Sequence, residues 1–171
     1  VLVLDSTSAV NHGLPQGPVF YRTDVPLPVV PLTGAPNTRS MEFVGLYSKV
    51  FIPSMFPFHL GGPPNVTLEF WLKFTPISHQ SVFWTRYEPW VDGNRFNIFV
   101  NYNSTFGFDY RRPTDHLVIL VGALNSGVFI PPNTWTHLAM VRSNNEYRLY
   151  QDCALVAAAV DPAPDLPTTT G

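Results

Sequence analysis

Alternating hydrophobic and polar positions predict β-strands along most of the chain. The clearest case is TLEFWLKFT at 67–75, where Leu68, Phe70, Leu72 and Phe74 alternate with polar or mixed positions. A period of two is that of a strand with one buried face. Further strand-like runs lie at 1–6, 41–53, 81–87, 95–103, 104–112, 116–124, 134–143 and 146–152. The run ALVAAAV at 154–160 is rich in alanine, but it is too short to predict a helix.

Turn residues separate these runs and predict how the strands connect. Asn144 and Asn145 stand between two strand-like runs, and asparagine tolerates the positive φ that a two-residue hairpin turn requires. A glycine, Gly45, interrupts the run at 41–53 and predicts two strands there. No segment shows a helical period, so the pattern predicts an all-β, antiparallel β-sandwich.

The proline and glycine content supports the all-β prediction, because 18 prolines and 11 glycines are incompatible with a mainly helical protein. Six prolines and three glycines fall at 11–40, which predicts a long irregular arm or insertion. Three more prolines and three threonines at 161–171 predict a linker or tail. The expected organisation is a single β-sandwich domain over 1–160 followed by that tail.

Charge and cysteine content exclude several classes of function. Ten basic and twelve acidic residues leave a net charge of −2, without the basic excess that nucleic-acid binding requires. No apolar run approaches the ~20 residues of a membrane span. The single cysteine, Cys153, excludes an internal disulfide framework and a cysteine-based zinc site, and we expect it to be a partly buried small residue.

Two N-x-S/T sequons point to a secreted or cell-surface protein. They begin at Asn65 (Asn-Val-Thr) and Asn103 (Asn-Ser-Thr), and each pattern presents an acceptor amide for glycosylation. Both asparagines are therefore predicted glycosylation sites.

Two blocks of residues resemble the laminin G-like, concanavalin A-like lectin/glucanase jelly-roll family. NVTLEFWLKF at 65–74 is similar to the family strand in which tryptophan precedes a basic residue. NTWTHLAMVRSNNEYRLYQDCALVA at 133–157 is similar to its W-x-H-x-A hairpin followed by L-Y-x-D-G. The matching positions are Trp135, His137, Ala139, Leu149, Tyr150 and Asp152. The resemblance implies a concanavalin A-like jelly roll.

The chain departs from the family pattern in two places. Cys153 stands where the family has a glycine at a turn with positive φ, so we expect a different or strained turn there. The family also continues with closing strands, whereas this sequence goes into its Pro/Thr tail. The closing strand therefore comes from the N-terminal segment, from residues beyond the sequence, or from a neighbouring molecule.

The acidic residues do not form the pattern of a glycosidase. Family glucanases use E-x-D-x-x-E, since retaining hydrolysis needs two carboxyl groups ~5 Å apart. The glutamates here are isolated from other acids, at Glu42, Glu69, Glu88 and Glu146. We therefore predict that the protein is not an enzyme and needs no cofactor.

The densest group of aromatic and basic residues lies in FWTRYEPWVDGNR at 83–95. It contains Trp84, Arg86, Tyr87, Trp90 and Arg95, which are candidates for a ligand site or an interface. Aromatic residues and arginine are enriched at protein interfaces and also suit sugar binding, while packing in the core is the alternative. Family resemblance also implies a calcium site, for which Asp92 and Asn94 are the candidates beside an ordinary polar turn.

These observations predict a non-catalytic extracellular recognition or adhesion module that binds a glycan or an extracellular protein. The alternative is a structural subunit of an extracellular filament or surface appendage, which assembles with copies of itself by exchanging the arm or tail. Strand donation provides main-chain hydrogen bonds, and an open head-to-tail contact propagates into a fibre.

Overall fold

The protein is an all-β molecule in the residues that its structure describes. The computed structural model describes residues 12–31, 33–45, 47–52, 65–75, 80–86, 95–100, 104–111, 118–121 and 129–160. Every regular element in these ranges is a β-strand. A search of the same residues finds no helix long and apolar enough to cross a membrane.

The chain divides into two compact units, Val1–His59 and Leu60–Gly171. The single domain over 1–160 and the tail over 161–171 stay predictions, and the tail lies outside the described residues.

The described residues of the first unit form two antiparallel ribbons. Its strands are β1 (Leu14–Gln16), β2 (Val19–Arg22), β3 (Ser40–Phe43) and β4 (Lys49–Phe51), and β1 pairs with β4 while β2 pairs with β3. The expectation of an irregular arm at 11–40 is therefore wrong for β1 and β2. Pro15 is accommodated within β1 because each strand of a two-stranded ribbon has a free edge, where a missing N–H costs no ladder bond.

The second unit holds the remaining strands in two four-stranded antiparallel sheets. They are β5 (Asn65–Leu72), β6 (Gln80–Arg86), β7 (Arg95–Val100), β8 (Phe106–Arg111), β9 (Val118–Val121), β10 (Thr136–Ser143), β11 (Glu146–Gln151) and β12 (Ala154–Val160). One sheet has the order β12-β11-β10-β5 and the other has the order β6-β7-β8-β9. Strand β9 lies against β11 and β12 of the opposite sheet, which makes the unit a sandwich.

The core of the second unit lies between the two sheets. Its buried cluster comprises Phe74, Ile98, Val100, Phe106, Ile130, Leu138, Met140, Tyr147 and Leu149. The alternate apolar residues of β5, Val66, Leu68, Phe70 and Leu72, pack against this cluster. The period-two pattern at 67–75 thus correctly predicted which face of the strand is buried. This arrangement confirms the predicted all-β, concanavalin A-like β-sandwich.

The two hairpins around β11 use left-handed backbone conformations. Asn144 has φ of 55° in the β10–β11 turn, as its sequence predicted. Asp152 and Cys153, with φ of 47° and 68°, form the β11–β12 turn. Cys153 therefore adopts the conformation of the family glycine, and it is exposed, so the expectation that it is partly buried is wrong.

Strand β12 is formed by the alanine-rich run at 154–160, whose composition alone left its conformation open. It pairs with β11 along its length, and a register shift occurs between Leu149 and Tyr150. Because the backbone groups of β11 must be paired on both sides, pairing overrides the helical preference of alanine.

Candidate functional site

The sheet formed by β12, β11, β10 and β5 has a second face that points away from the core. Side chains alternate along each strand, so the neighbours of the core residues lie on this opposite face. We call it the outer face, and it consists of Asn65, Thr67, Glu69 and Trp71 on β5, His137, Ala139, Val141 and Ser143 on β10, Glu146, Arg148 and Tyr150 on β11, and Leu155, Ala158 and Val160 on β12. It combines aromatic, charged and small residues.

Trp71 and His137 form the aromatic part of the outer face. They are directly opposite each other on paired strands, with ring centroids 5.1 Å apart and ring planes inclined by 50°. Trp71 nonetheless remains 38% exposed, although its size and apolar character favour burial. An indole held at a fixed angle and open to solvent offers a flat apolar surface to a ligand.

Glu69 is the acidic neighbour of this pair. Its carboxylate Oε2 lies 3.9 Å from Nε2 of His137, and its side chain is 67% exposed. The distance is too long for a hydrogen bond, so the carboxylate oxygens can accept hydrogen bonds from a ligand.

Ala139 separates Glu69 from the third aromatic residue, Tyr150. The register pairs Ala139 with Glu69 on one side and with Tyr150 on the other. Two strand spacings place Glu69 and Tyr150 roughly 10 Å apart across the face. Ala139 is 8% exposed, so its larger neighbours cover the sheet at this point.

Arg148 and Glu146 form a two-pronged ion pair at the other side of the face. Nε and Nη2 of Arg148 donate to the Glu146 carboxylate at 2.8 and 2.6 Å. These bonds hold the pKa of Glu146 below its ordinary value and raise the pKa of Arg148. Tyr150 also hydrogen-bonds Arg148, which raises the pKa of the arginine further.

The described acids of this sheet are far apart. Glu69 and Glu146 lie on strands separated by β10 and four residues apart in register, since Glu69 pairs with Ala139 while Glu146 pairs with Ser143. The strand rise and spacing then separate their Cα atoms by roughly 17 Å. In glycosidases that use a pair of carboxylates, the two carboxyl groups lie about 5–10 Å apart.

The predicted aromatic and arginine cluster lies at the β6–β7 connection. Trp84 and Arg86 are on β6, Arg95 opens β7, and the register pairs Arg86 with Arg95. Tyr87 and Trp90 lie outside the described residues. The cluster therefore stays a prediction, although its three described positions fall within one hairpin.

The calcium candidates Asp92 and Asn94 also lie outside the described residues. Within the described ranges, no group of three or more His, Cys, Asp or Glu side chains is placed to hold a metal ion. Calcium binding thus stays a prediction without a site in the described structure.

One predicted glycosylation site is described. Asn65 is exposed at the start of β5, and its Oδ1 accepts a hydrogen bond from the backbone N–H of Asn144 at 3.2 Å. Glycosylation occurs on the amide nitrogen, so this bond is compatible with an attached glycan. Asn103 lies outside the described residues.

A family model decides the relationship of this fold to known proteins. The laminin G model described as the concanavalin A-like lectin/glucanases superfamily matches residues 47–171. The chain belongs to this family. The W-x-H-x-A and L-Y-x-D positions of the family pattern include His137, Ala139 and Tyr150 of the outer face.

Comparison with individual proteins adds a structural neighbour. The chain is similar to the Ruminococcus gnavus IT-sialidase CBM40 bound to α2,3-sialyllactose, at 15% identity and a TM-score of 0.48. The similarity covers 63% of this chain and 58% of that chain, less than two thirds of its length. No curated protein matches the chain.

The outer face includes residues that the sequence did not single out as a site. Glu69, Trp71 and Arg148 were assigned no ligand role, although the alternation at 67–75 placed Glu69 and Trp71 on the mixed face of their strand. The sequence feature that could have identified this site is a tryptophan on the polar face of an amphipathic strand. Their proximity to β10 and β11 required the strand order.

Proposed function

We propose that this protein is a non-catalytic extracellular recognition module that binds carbohydrate through the outer face of its β12-β11-β10-β5 sheet. The observation that carries the proposal is the exposed Trp71 ring beside His137 and Glu69. A flat apolar ring covers the C–H face of a sugar, while nearby carboxylate and imidazole groups bind its hydroxyls. Membership of a lectin/glucanase superfamily agrees with this chemistry.

A binding role is favoured over hydrolysis by the positions of the acids. Glu69 and Glu146 are too far apart to act as a catalytic pair, and Glu146 is held in its ion pair with Arg148. An extracellular location is supported by the two sequons, of which the one at Asn65 is exposed. An extracellular protein is the alternative ligand of the same surface, since aromatic residues and arginine also dominate protein hot spots.

Binding of the full chain to a glycan array, followed by calorimetry, tests the proposal. We expect binding to fall at least about tenfold in Trp71→Ala, and to be retained in Phe20→Ala, which removes an exposed aromatic ring from the first unit. Trp90→Ala tests the cluster at 83–95 in parallel. Failure to bind any glycan would overturn the proposal, and loss only in Trp90→Ala would move the site away from the outer face.

A second candidate function, a subunit of an extracellular filament, is favoured by the exposed apolar residues of the first unit. Tyr21 and Met41 are paired directly on β2 and β3 and are 42% and 38% exposed, and Phe43, 48% exposed, follows Met41 on the same face of the ribbon. Contiguous exposed apolar surface marks interaction sites. Filament assembly would bury such side chains between copies of the chain.

Sedimentation over a range of concentrations tests this second candidate. Assembly is expected to disappear in the double variant Tyr21→Ser with Phe43→Ser, which removes two exposed apolar side chains from one face of the ribbon. It should persist in Leu155→Ser, which removes an exposed apolar residue, 55% accessible, from the second unit. A wild-type chain that stays monomeric at every concentration rules out the filament.

A further inference from the structure

We infer that the outer face selects uncharged sugars over acidic ones, an inference that rests on the proposed carbohydrate-binding function. Proteins recognise a carboxylate most strongly through arginine or lysine donors aimed at it. On the described outer face, by contrast, Arg148 is paired with Glu146, while the carboxylate of Glu69 is exposed beside Trp71.

Arg148 is the arginine of this face, and its side chain is paired with an acidic neighbour. Nε and Nη2 each donate to a different oxygen of Glu146, at 2.8 and 2.6 Å. A ligand carboxylate would have to compete with this two-pronged partner on the same strand. The pair is therefore locally neutral, and the Nε–Nη2 edge of the guanidinium is occupied by Glu146.

Lys73 is the other cation close to Trp71 in sequence, two residues beyond it at the end of β5. It is exposed and has an interaction within the structure. Its position beyond β5 places it on the far side of Trp71 from Glu69 and Tyr150. A sugar that extends from Trp71 across β10 to Tyr150 therefore passes Glu69 and leads away from this lysine.

The carboxylate of Glu69 determines the preference for uncharged over acidic sugars. Its exposed carboxylate is two positions from Trp71 on the same strand face and beyond hydrogen-bonding distance of His137. An ionised carboxylate only accepts hydrogen bonds, so it suits the paired hydroxyl donors of a neutral pyranose. It repels the carboxylate of a sialic or uronic acid, and exposed charges this close are only partly screened at physiological salt.

Two matched probe pairs test the inference by calorimetry on the full chain. Lactose is compared with α2,3-sialyllactose, which carries one added sialic acid, and tetragalactose with tetragalacturonate, in which C6 of each sugar is a carboxylate. A broader set of neutral gluco- and manno-oligosaccharides accompanies them. We expect the neutral members to bind at least about tenfold more tightly, with little dependence on salt.

Variants of Glu69 separate charge selection from simple contact. Glu69→Lys should reverse the preference within each pair, whereas Gln16→Lys, which adds a positive charge to an exposed polar residue of the first unit, should leave it unchanged. Trp71→Phe should retain binding better than Trp71→Ala, which reports stacking rather than misfolding. Circular dichroism verifies the fold of each variant.

The possible outcomes distinguish this inference from the proposed function. Tighter wild-type binding of the acidic members, or an unchanged preference in Glu69→Lys, would overturn the inference while carbohydrate binding stands. Absence of binding to every probe would overturn carbohydrate binding itself. A wild-type preference for neutral sugars that reverses in Glu69→Lys supports both this inference and the proposed carbohydrate binding.

Discussion

Asp152 and His137 are joined by two hydrogen bonds that connect the β11–β12 turn to β10. Oδ1 of Asp152 accepts from the backbone N–H of His137 at 2.9 Å, and the backbone N–H of Asp152 donates to the His137 carbonyl at 2.9 Å. The aspartate of the family pattern therefore holds the position of the histidine that supports Trp71. Its role is to position His137.

Loss of the Asp152 carboxylate should destabilise the protein and weaken the outer face. Asp152→Ala removes the acceptor for His137 N–H and places a Cβ without a compensating bond at φ of 47°, for a cost of about 1–2 kcal/mol in free energy of unfolding. Asp152→Asn keeps an acceptor oxygen and tolerates this backbone, so it is the matched control. Urea denaturation measures both, and equal stability of the two variants would contradict the assigned bond.

Replacement of Cys153 by glycine should stabilise the protein. The residue has φ of 68°, where a side chain costs about 1–2 kcal/mol and glycine has no such penalty. Greater flexibility of glycine in the unfolded chain offsets part of this gain, which leaves an expected net of about 0.5–1 kcal/mol. Cys153→Ser removes the thiol but keeps the strain, so a Cys153→Gly variant no more stable than Cys153→Ser would show that the turn is unstrained.

Truncation of Leu138 should test the packing between the sheets. Leu138 is completely buried in the core cluster, and Leu138→Ala is expected to cost about 2–5 kcal/mol through lost burial and the resulting cavity. The adjacent His137→Ala removes a partly exposed side chain from the opposite face and should cost less. Denaturant unfolding compares them, and a larger loss in His137→Ala would reverse the assignment of the two faces.

The ion pair of Glu146 and Arg148 should make stability depend on pH in the acidic range. Because Arg148 lowers the pKa of Glu146 in the folded state, the pair favours folding above the unfolded pKa of glutamate. This contribution disappears as the pH falls through the lower, folded pKa. NMR titration should show a higher pKa of Glu146 in Arg148→Gln than in the wild-type protein. High salt should reduce this difference in pKa. An unchanged titration in that variant would show that Arg148 is not the cause.

Glycosylation should add mass to the protein when it passes through a eukaryotic secretory pathway. Intact-mass analysis is expected to show hexose-containing additions that decrease in Asn65→Gln and in Thr67→Ala, each of which breaks the same sequon. Asn103→Gln tests the second sequon. Material without added mass would remove the support that the sequons lend to an extracellular location.

Side-chain period and turn chemistry explain why much of the fold was predictable. On β5, alternation alone identified Leu68 and Phe70 as core residues, because a strand with one buried face must repeat every two residues. The turn at Asn144 was also predictable, because it depends only on neighbouring residues. The two strands within 11–40 were missed because their pairing with β3 and β4 depends on residues about 20–40 positions away, which local composition does not encode.

The candidate site, like the fold, was only partly predictable from the sequence. The sequence by itself determined that Trp71 and Glu69 share the mixed face of one strand and that Cys153 occupies a position suited to glycine. Tertiary structure decided that His137 lies opposite Trp71, that Ala139 separates Glu69 from Tyr150, and that Arg148 is bound by Glu146. The physical reason is that side-chain alternation is set within a strand, whereas a binding face is made by the order and register of several strands.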